Sequence, residues 1–274
     1  MGRITTRRPV ILLRGRVETS RPDTLVVEEP LEIRVNGAAL AVTMRTPGHD
    51  VDLVHGFLLT EGVITSRDDI RLARYCDGVD DTGQNTYNVL DIELAEGVAP
   101  PAPGVERNFY TTSSCGVCGK GSLDAVRSKT KYSPADDAVR VKSEVLARLP
   151  DSLRQAQKIF DTTGGLHGAA LCDSDGRVLV VREDVGRHNA VDKVLGWATG
   201  EGLIPLRGHI LMVSAQASFE LAQKAVMAGV PILAAVSAPS SLAVDLAEES
   251  GLTVVGFLRG ENMNLYSHTE RILR

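Results

Sequence analysis

The chain has 274 residues, 43% hydrophobic and 24% charged, which is enough for one large domain or two ordinary ones around a real core. A formal charge of −5 argues against bulk nucleic acid as the main partner, because that binding rests on neutralising phosphates. Four cysteines, two of them close together beside glycines, fit a reducing cytoplasm and not a disulfide framework, and no apolar run approaches the roughly 18 residues of a membrane span.

Residues 1–22 carry six arginines and few apolar partners, and read as a loosely held, solvated basic arm. Its apolar run Val10-Ile11-Leu12-Leu13 is too brief for a signal-peptide core. Residues 23–105 read as a small α+β domain. Leu31/Ile33/Val35, then Asn36-Gly37, then Leu40/Val42/Met44 is the pattern of a β-hairpin closed by a type I′ turn. Asp50 is placed to cap a helix carrying Val51, Val54, Phe57 and Leu58 and ending near Gly62. Ser66 opens a short second helix, and Leu90/Ile92/Leu94 alternate as a strand. His49 and His55 read as structural or surface residues and Cys76 as a bystander. The Pro- and Gly-rich stretch from Glu96 to Gly104 has the composition of a linker.

The second domain, residues 106–274, begins with a strand at Asn108–Thr112 and the most reactive-looking stretch of the chain. Thr111 to Gly121 sets Cys115 and Cys118 three residues apart in a loop of small residues. A thiolate is favoured by a nearby cation or helix N-terminus; Lys120 supplies the first, and a helical turn opening at Ser122 the second. A structural zinc site needs about four ligands, and the scattered histidines with the isolated Cys76 and Cys172 do not complete a set around this pair, so no metal is assigned. A dithiol/disulfide oxidoreductase and a carrier holding sulfur as a persulfide both remain open on residue types alone.

Ser143–Leu149 and Asp151–Phe160 read as two helices separated at Pro150. Gly164-Gly165-Leu166-His167-Gly168 leads into a strand ending at Cys172, a core residue, and Val178/Val180 form its antiparallel partner. Glu183 to Asn189 ends that strand and starts a helix; its density of titratable groups, with His167 and His188, marks it for acid/base work as readily as for structure. His209–Ser214, Pro231–Ser237 and Leu252–Phe257 are near-continuous apolar runs separated by helical segments, a β-α-β-α-β pattern with parallel strands buried on both faces. Ligands of such sheets bind beyond the strands' carboxyl ends. Ser214–Ser218, Ser237–Ser241 and Arg259–Asn262 stand there, a cradle for phosphate, while the dinucleotide and Walker A fingerprints are missing.

Ser114 to Gly119, Gly164 to Ala169, Arg182 to Lys193 and Val255 to Gly260, taken together and in order, resemble the formate dehydrogenase accessory sulfurtransferase family, FdhD. The resemblance implies an α/β fold, a three-layer cytidine-deaminase-like domain with a mixed sheet plus the smaller N-terminal α+β domain, assembled as a homodimer. It implies a cytoplasmic sulfurtransferase that accepts persulfide sulfur from a cysteine desulfurase. The sulfur would pass to the molybdenum cofactor, in its bis(guanine dinucleotide) form, before insertion into formate dehydrogenase. Cys115 would carry the persulfide, with Cys118 assisting. Phe257, Leu258, Arg259, Gly260, Glu261 and Asn262 would bind the cofactor; the alternatives are a thiol-disulfide oxidoreductase working through Cys115 and Cys118, or a non-catalytic chaperone that only binds the cofactor and its target enzyme. Gln216 and Asn262 stand where family members usually carry basic residues. Deaminase activity does not follow, since His167 is followed by Gly168-Ala169 and not by the H-x-E that zinc deaminases need.

Overall fold

The structure, a computed structural model, describes residues 4–76, 78, 86–101 and 130–274. The strand expected at Asn108–Thr112, the Cys115–Cys118 loop and the turn expected at Ser122 lie outside the described residues.

The stretch expected to be a loose arm instead pairs with itself. β1 (Thr5–Arg14) and β2 (Val17–Val26) form an antiparallel ribbon, in register from Thr5↔Val26 to Arg14↔Val17. Its β-branched and threonine residues favour extension, and Gly15, at φ 62, supplies the left-handed turn. β3 (Glu29–Val35) and β4 (Ala38–Arg45) form the expected hairpin, with Asn36 at φ 51 and Gly37 at φ 81 as a type I′ turn requires.

α1 (Asp50–Thr60) follows, but Asp50 does not cap it. The capping position is His49, and Asp50 is buried in a bidentate ion pair with Arg45, at 3.1 and 3.0 Å. Ser66 starts a single 3₁₀ turn, Arg67–Asp69, closed by a capping box with Asp69, and not the helix expected there. β5 (Ile70–Tyr75) and β6 (Val89–Leu94) complete a sheet of order β4-β3-β6-β5, with β3 parallel to β6.

After β7 (Val141–Lys142), one helix α2 (Ser143–Ala156) runs through Pro150, where two were expected. Leu146, Leu149 and Leu153 form one fully buried stripe that holds it together across the bond Pro150 cannot donate. The break falls at Gln157, before α3 (Lys158–Thr163). β8 (His167–Cys172), β9 (Val178–Asp184), α4 (Arg187–Gly200), β10 (Ile210–Val213), α5 (Phe219–Met227), β11 (Ile232–Ala235), α6 (Ser241–Ser250), β12 (Thr253–Arg259) and β13 (Asn262–Leu265) follow. They build a six-stranded mixed sheet of order β13-β12-β11-β10-β8-β9, with β10, β11 and β12 parallel as expected. β14 (Ile272–Leu273) returns to pair with β7.

Alternate residues of that sheet enter two cores. Leu211, Val213, Leu233 and Val254 pack on the side of α4, α5 and α6, while Met212, Ile232 and Val255 meet the α2 stripe on the other. The first core continues without a break into Leu31, Ile33, Leu53 and Leu90 of the smaller sheet and its helix. α1 and α4 cross there with their backbones touching. A Cβ on Gly56 would lie 1.9 Å from the Asp192 carbonyl oxygen, and one on Gly196 1.7 Å from that of Asp52. Among the described residues no helix is long and apolar enough to cross a membrane.

Candidate functional site

β8 runs antiparallel to β10, so its first residue, His167, lies at the edge where β10, β11 and β12 end, together with the last residue of β9, Asp184. α4, α5 and α6 all start at this edge. Its loops are zipped together: Ala217 N donates to Ala238 O (3.2 Å), Ser240 N to Ala217 O (3.0 Å) and Phe257 N to Ser237 O (3.2 Å). Ser240 caps α6, accepting from Ala243 N at 3.3 Å, whereas the buried Ser218 Oγ at the start of α5 has no partner among the described residues.

The expected cofactor segment sits at the end of β12. Phe257 holds φ 54 and leaves its ring 45% exposed, and Arg259, Gly260, Glu261 and Asn262 are all exposed. Leu258 is fully buried in the second core, so it offers a ligand its backbone and not its side chain. Gly256 is required here, because a Cβ would meet Pro239 Cδ at 2.9 Å. β12 and β8 are three strand spacings apart, about 14 Å, so an extended ligand is needed to touch both Phe257 and His167.

The stretch from Arg182 to Lys193 divides in two. Arg182 binds Asp52 at 2.8 and 3.0 Å, Glu183 accepts from Ile159 N and Phe160 N, and Asp184 pairs with Lys193 at 2.7 Å while accepting from Thr46 N. Asp192 receives the Lys224 ammonium at 2.8 and 2.9 Å and Thr60 Oγ1 at 3.2 Å. Arg182, Asp184 and Asp192 fasten the two sheets to one another, while Glu183 holds the start of α3. Arg187 Nε and His188 Nε2, by contrast, are buried atoms without a hydrogen-bond partner among the described residues. His188 faces Glu220 at 3.9 Å and is the largest cause holding the Glu220 carboxyl well below the usual carboxylate range. Burial, with Arg187 and His188 nearby, pushes the His167 imidazole below its ordinary value. A corner in which a guanidinium nitrogen of Arg187 has no acceptor among the described residues can take an anion.

Comparison with known proteins places this arrangement. The model of the FdhD/NarQ family matches residues 26–273. The chain belongs to that family. It is 62% identical over 269 residues to the sulfur carrier protein FdhD of Mycolicibacterium paratuberculosis, covering 98% of this chain and 99% of that one. It is 60% identical over 273 residues to the sulfur carrier protein FdhD of Streptomyces avermitilis, covering 99% and 97%. A crystal structure described as that of a formate dehydrogenase accessory protein from Desulfotalea psychrophila shares the fold, with a TM-score of 0.76 at 23% identity over 99% of this chain and 100% of that chain.

The FdhD/NarQ match takes in both larger sheets, the seam between them and the strand-end edge. Within it lies a cavity of about 290 Å³ that no motif announced, between β4, α1 and the starts of α4 and α5, lined by Met44, Phe57, Thr60, His188, Glu220 and Lys224 among others. Its lining is drawn from residues as far apart as Ile33 and Lys224, which is why spacing along the chain gave no hint of it. Cys172 is buried, and burial pushes its thiol up to about 12, so it is an inert core residue. Cys115 and Cys118 lie outside the described residues; the chain is described up to Pro101 and again from Thr130, whose hydroxyl meets Met227 Sδ at the far end of α5.

Proposed function

We propose that this chain is a cytoplasmic sulfur carrier that takes persulfide sulfur from a cysteine desulfurase and hands it to the molybdenum cofactor before that cofactor enters formate dehydrogenase. The observation that carries the reading is the identity of 62% and 60%, over nearly the whole chain, with proteins named sulfur carriers. The strand-end edge adds a chemical reason: an exposed aromatic ring and guanidinium at Phe257 and Arg259, helix N-termini, and an Arg187/His188 corner lacking acceptors suit a long polyanion with flat rings at its ends. In this reading the bis(guanine dinucleotide) form of the cofactor is held as cargo through Phe257–Asn262, Leu258 contributing backbone alone. The three-layer domain is the cytidine-deaminase-like one, working as a homodimer.

The Cys115 thiolate attacks the outer sulfur of the desulfurase persulfide; a new S–S bond forms, the desulfurase thiolate leaves, and Cys115 carries the sulfane sulfur. Attack by the Cys118 thiolate on the inner sulfur of Cys115 then expels hydrosulfide for the cofactor and leaves a Cys115–Cys118 disulfide, which a cellular dithiol reduces for the next cycle. Incubation with a desulfurase and cysteine, followed by mass measurement, is expected to show one added sulfur atom on the native chain and none on Cys115→Ala. A native chain that gains no sulfur overturns the reading. If Cys118→Ala still loads sulfur but does not release it, the division of labour between the two thiols is as assigned.

A further inference from the structure

The cavity of about 290 Å³ between β4, α1 and the starts of α4 and α5 has walls of two kinds. Ile33, Leu53, Phe57 and the half-exposed Met44 make one side apolar. The other side is polar, and most of its hydrogen-bonding capacity is already used. The three donors of the Lys224 ammonium go to both oxygens of Asp192, at 2.8 and 2.9 Å, and to Thr60 Oγ1 at 3.0 Å. Asn189 donates to Met44 O and Asp184 Oδ1 and accepts from Thr43 Oγ1. Two side chains of α5 are left to meet a ligand. Glu220 is 45% exposed, and Gln223, three residues on and so on the same face of the helix, has no hydrogen bond to any described residue.

Charge and shape decide what such a cavity takes. Its lining includes three carboxylates, Glu61, Asp192 and Glu220, against one ammonium that Asp192 already neutralises, and it includes neither Arg187 nor Arg259 of the strand-end edge. An anion therefore finds no free lysine or arginine there, and His188 already faces Glu220. The Glu220 carboxyl, held well below the usual carboxylate range by His188, is ionised at neutral pH. A metal ion is not served either, since among the described residues no three metal-ligating side chains come together. We propose that the cavity binds a small organic cation, an amidinium or guanidinium borne on a flat apolar body. The planar head presents two parallel N–H groups to the Glu220 carboxylate and a further one to Gln223 Oε1, a fork that a strongly hydrated ammonium does not offer. The body lies against Phe57, Met44, Ile33 and Leu53, where it leaves water for carbon. The volume sits at the small end of ligand pockets, which run from roughly 300 to 1,000 Å³, and suits one ring with its head group. The site is separate from the edge assigned to the cofactor and does not rest on the sulfur chemistry.

Calorimetry on the full native chain tests this with benzamidine as the probe, beside benzamide, its uncharged counterpart of the same shape, and benzoate. Benzamidine is expected to bind once per chain with a dissociation constant below about 1 mM, and benzamide and benzoate at least about tenfold more weakly. Bound benzamidine is also expected to raise the melting temperature as its concentration rises. Glu220→Gln, which keeps the side chain's shape at a half-exposed position, is expected to weaken benzamidine at least about tenfold, and Gln223→Leu by about two- to tenfold. The comparison of benzamidine with benzamide on the native chain stands whether or not either variant folds. Four results each overturn the proposal: a native chain that does not bind benzamidine below about 1 mM, benzamide or benzoate bound as tightly, an affinity that Glu220→Gln leaves unchanged, or displacement of benzamidine by guanosine diphosphate, which would make the cavity part of the cofactor's edge. Sulfur loading of Cys115, whether it succeeds or fails, moves none of them.

Discussion

The seam between the two sheets and the strand-end edge are built from the same kinds of side chain, several from the same twelve residues, yet they differ in one respect. At the seam each charge has its complement: Arg45 with Asp50, Arg182 with Asp52, Lys193 with Asp184, Lys224 with Asp192. At the edge Arg187 and His188 keep nitrogen atoms without acceptors, Ser218 keeps an idle hydroxyl, and Phe257 and Arg259 face outward. Density of titratable groups is therefore no guide to where a ligand binds. Unspent hydrogen-bonding capacity is a better one: of the buried side-chain atoms without a partner among the described residues, Arg187 Nε, His188 Nε2 and Ser218 Oγ lie at the edge and His55 Nε2 alone in the packed region, and burying such a group costs about 1–3 kcal/mol, which a bound anion would return.

The sharpest test of that difference pairs two cations from one helix. Lys193→Met leaves the Asp184 carboxylate buried without its ammonium and is expected to cost roughly 3–5 kcal/mol in a urea melt. Arg187→Met, six residues away, is expected to leave stability within about 1 kcal/mol, or raise it, while weakening binding of a guanosine diphosphate probe in calorimetry. Equal losses of stability in the two variants would erase the distinction.

A second pair sits on adjacent residues of one strand. Leu258→Ala removes a fully buried side chain from the second core and is expected to cost roughly 2–5 kcal/mol. Arg259→Ala is expected to change stability by less than about 0.5 kcal/mol and to lower affinity for the same probe about tenfold. A melt unaffected by Leu258→Ala would contradict the burial on which the split rests.

The sequence showed these regions unequally, for reasons of distance along the chain. The Asn36-Gly37 hairpin and the three parallel strands depend on neighbours in sequence, and both stand as read. The seam does not, because Thr46, Asp52 and Thr60 meet Asp184, Arg182 and Asp192 across more than a hundred intervening residues. The same holds for Asp50, which looked like a cap until Arg45 was seen to claim it, and for Pro150, whose breaking tendency yields to a leucine stripe that only the folded sheet rewards. Composition alone makes residues 1–22 look like a solvated arm, because it carries no sign of the strand pairing from Thr5↔Val26 to Arg14↔Val17. His167 and His188 read as standing at element edges, and nothing in their spacing says that one lies across from Asp184 and the other beside Glu220.

The smallest effect separates the two regions by pH. Burial holds His55 below its ordinary value of 6.5, with Asp52 opposing, and its Nε2 is enclosed without a partner among the described residues; His167 at the edge is lowered too, by burial and by Arg187 and His188. A lowered folded value means that the unfolded chain binds the proton more readily, so stability is complete above 6.5 and declines as pH falls through the folded values. Melting temperature is therefore expected to drop modestly from about pH 7.5 to about pH 5.5, and His55→Gln should flatten the part of that slope due to the packed region. Phosphate added at the acidic end should restore only the share that belongs to His167, since an anion at the edge favours the imidazolium there and does not reach His55 beside the seam. A melting temperature that rises on acidification, or a phosphate effect that vanishes in His55→Gln and survives in His167→Gln, would place the titrating group in the wrong region.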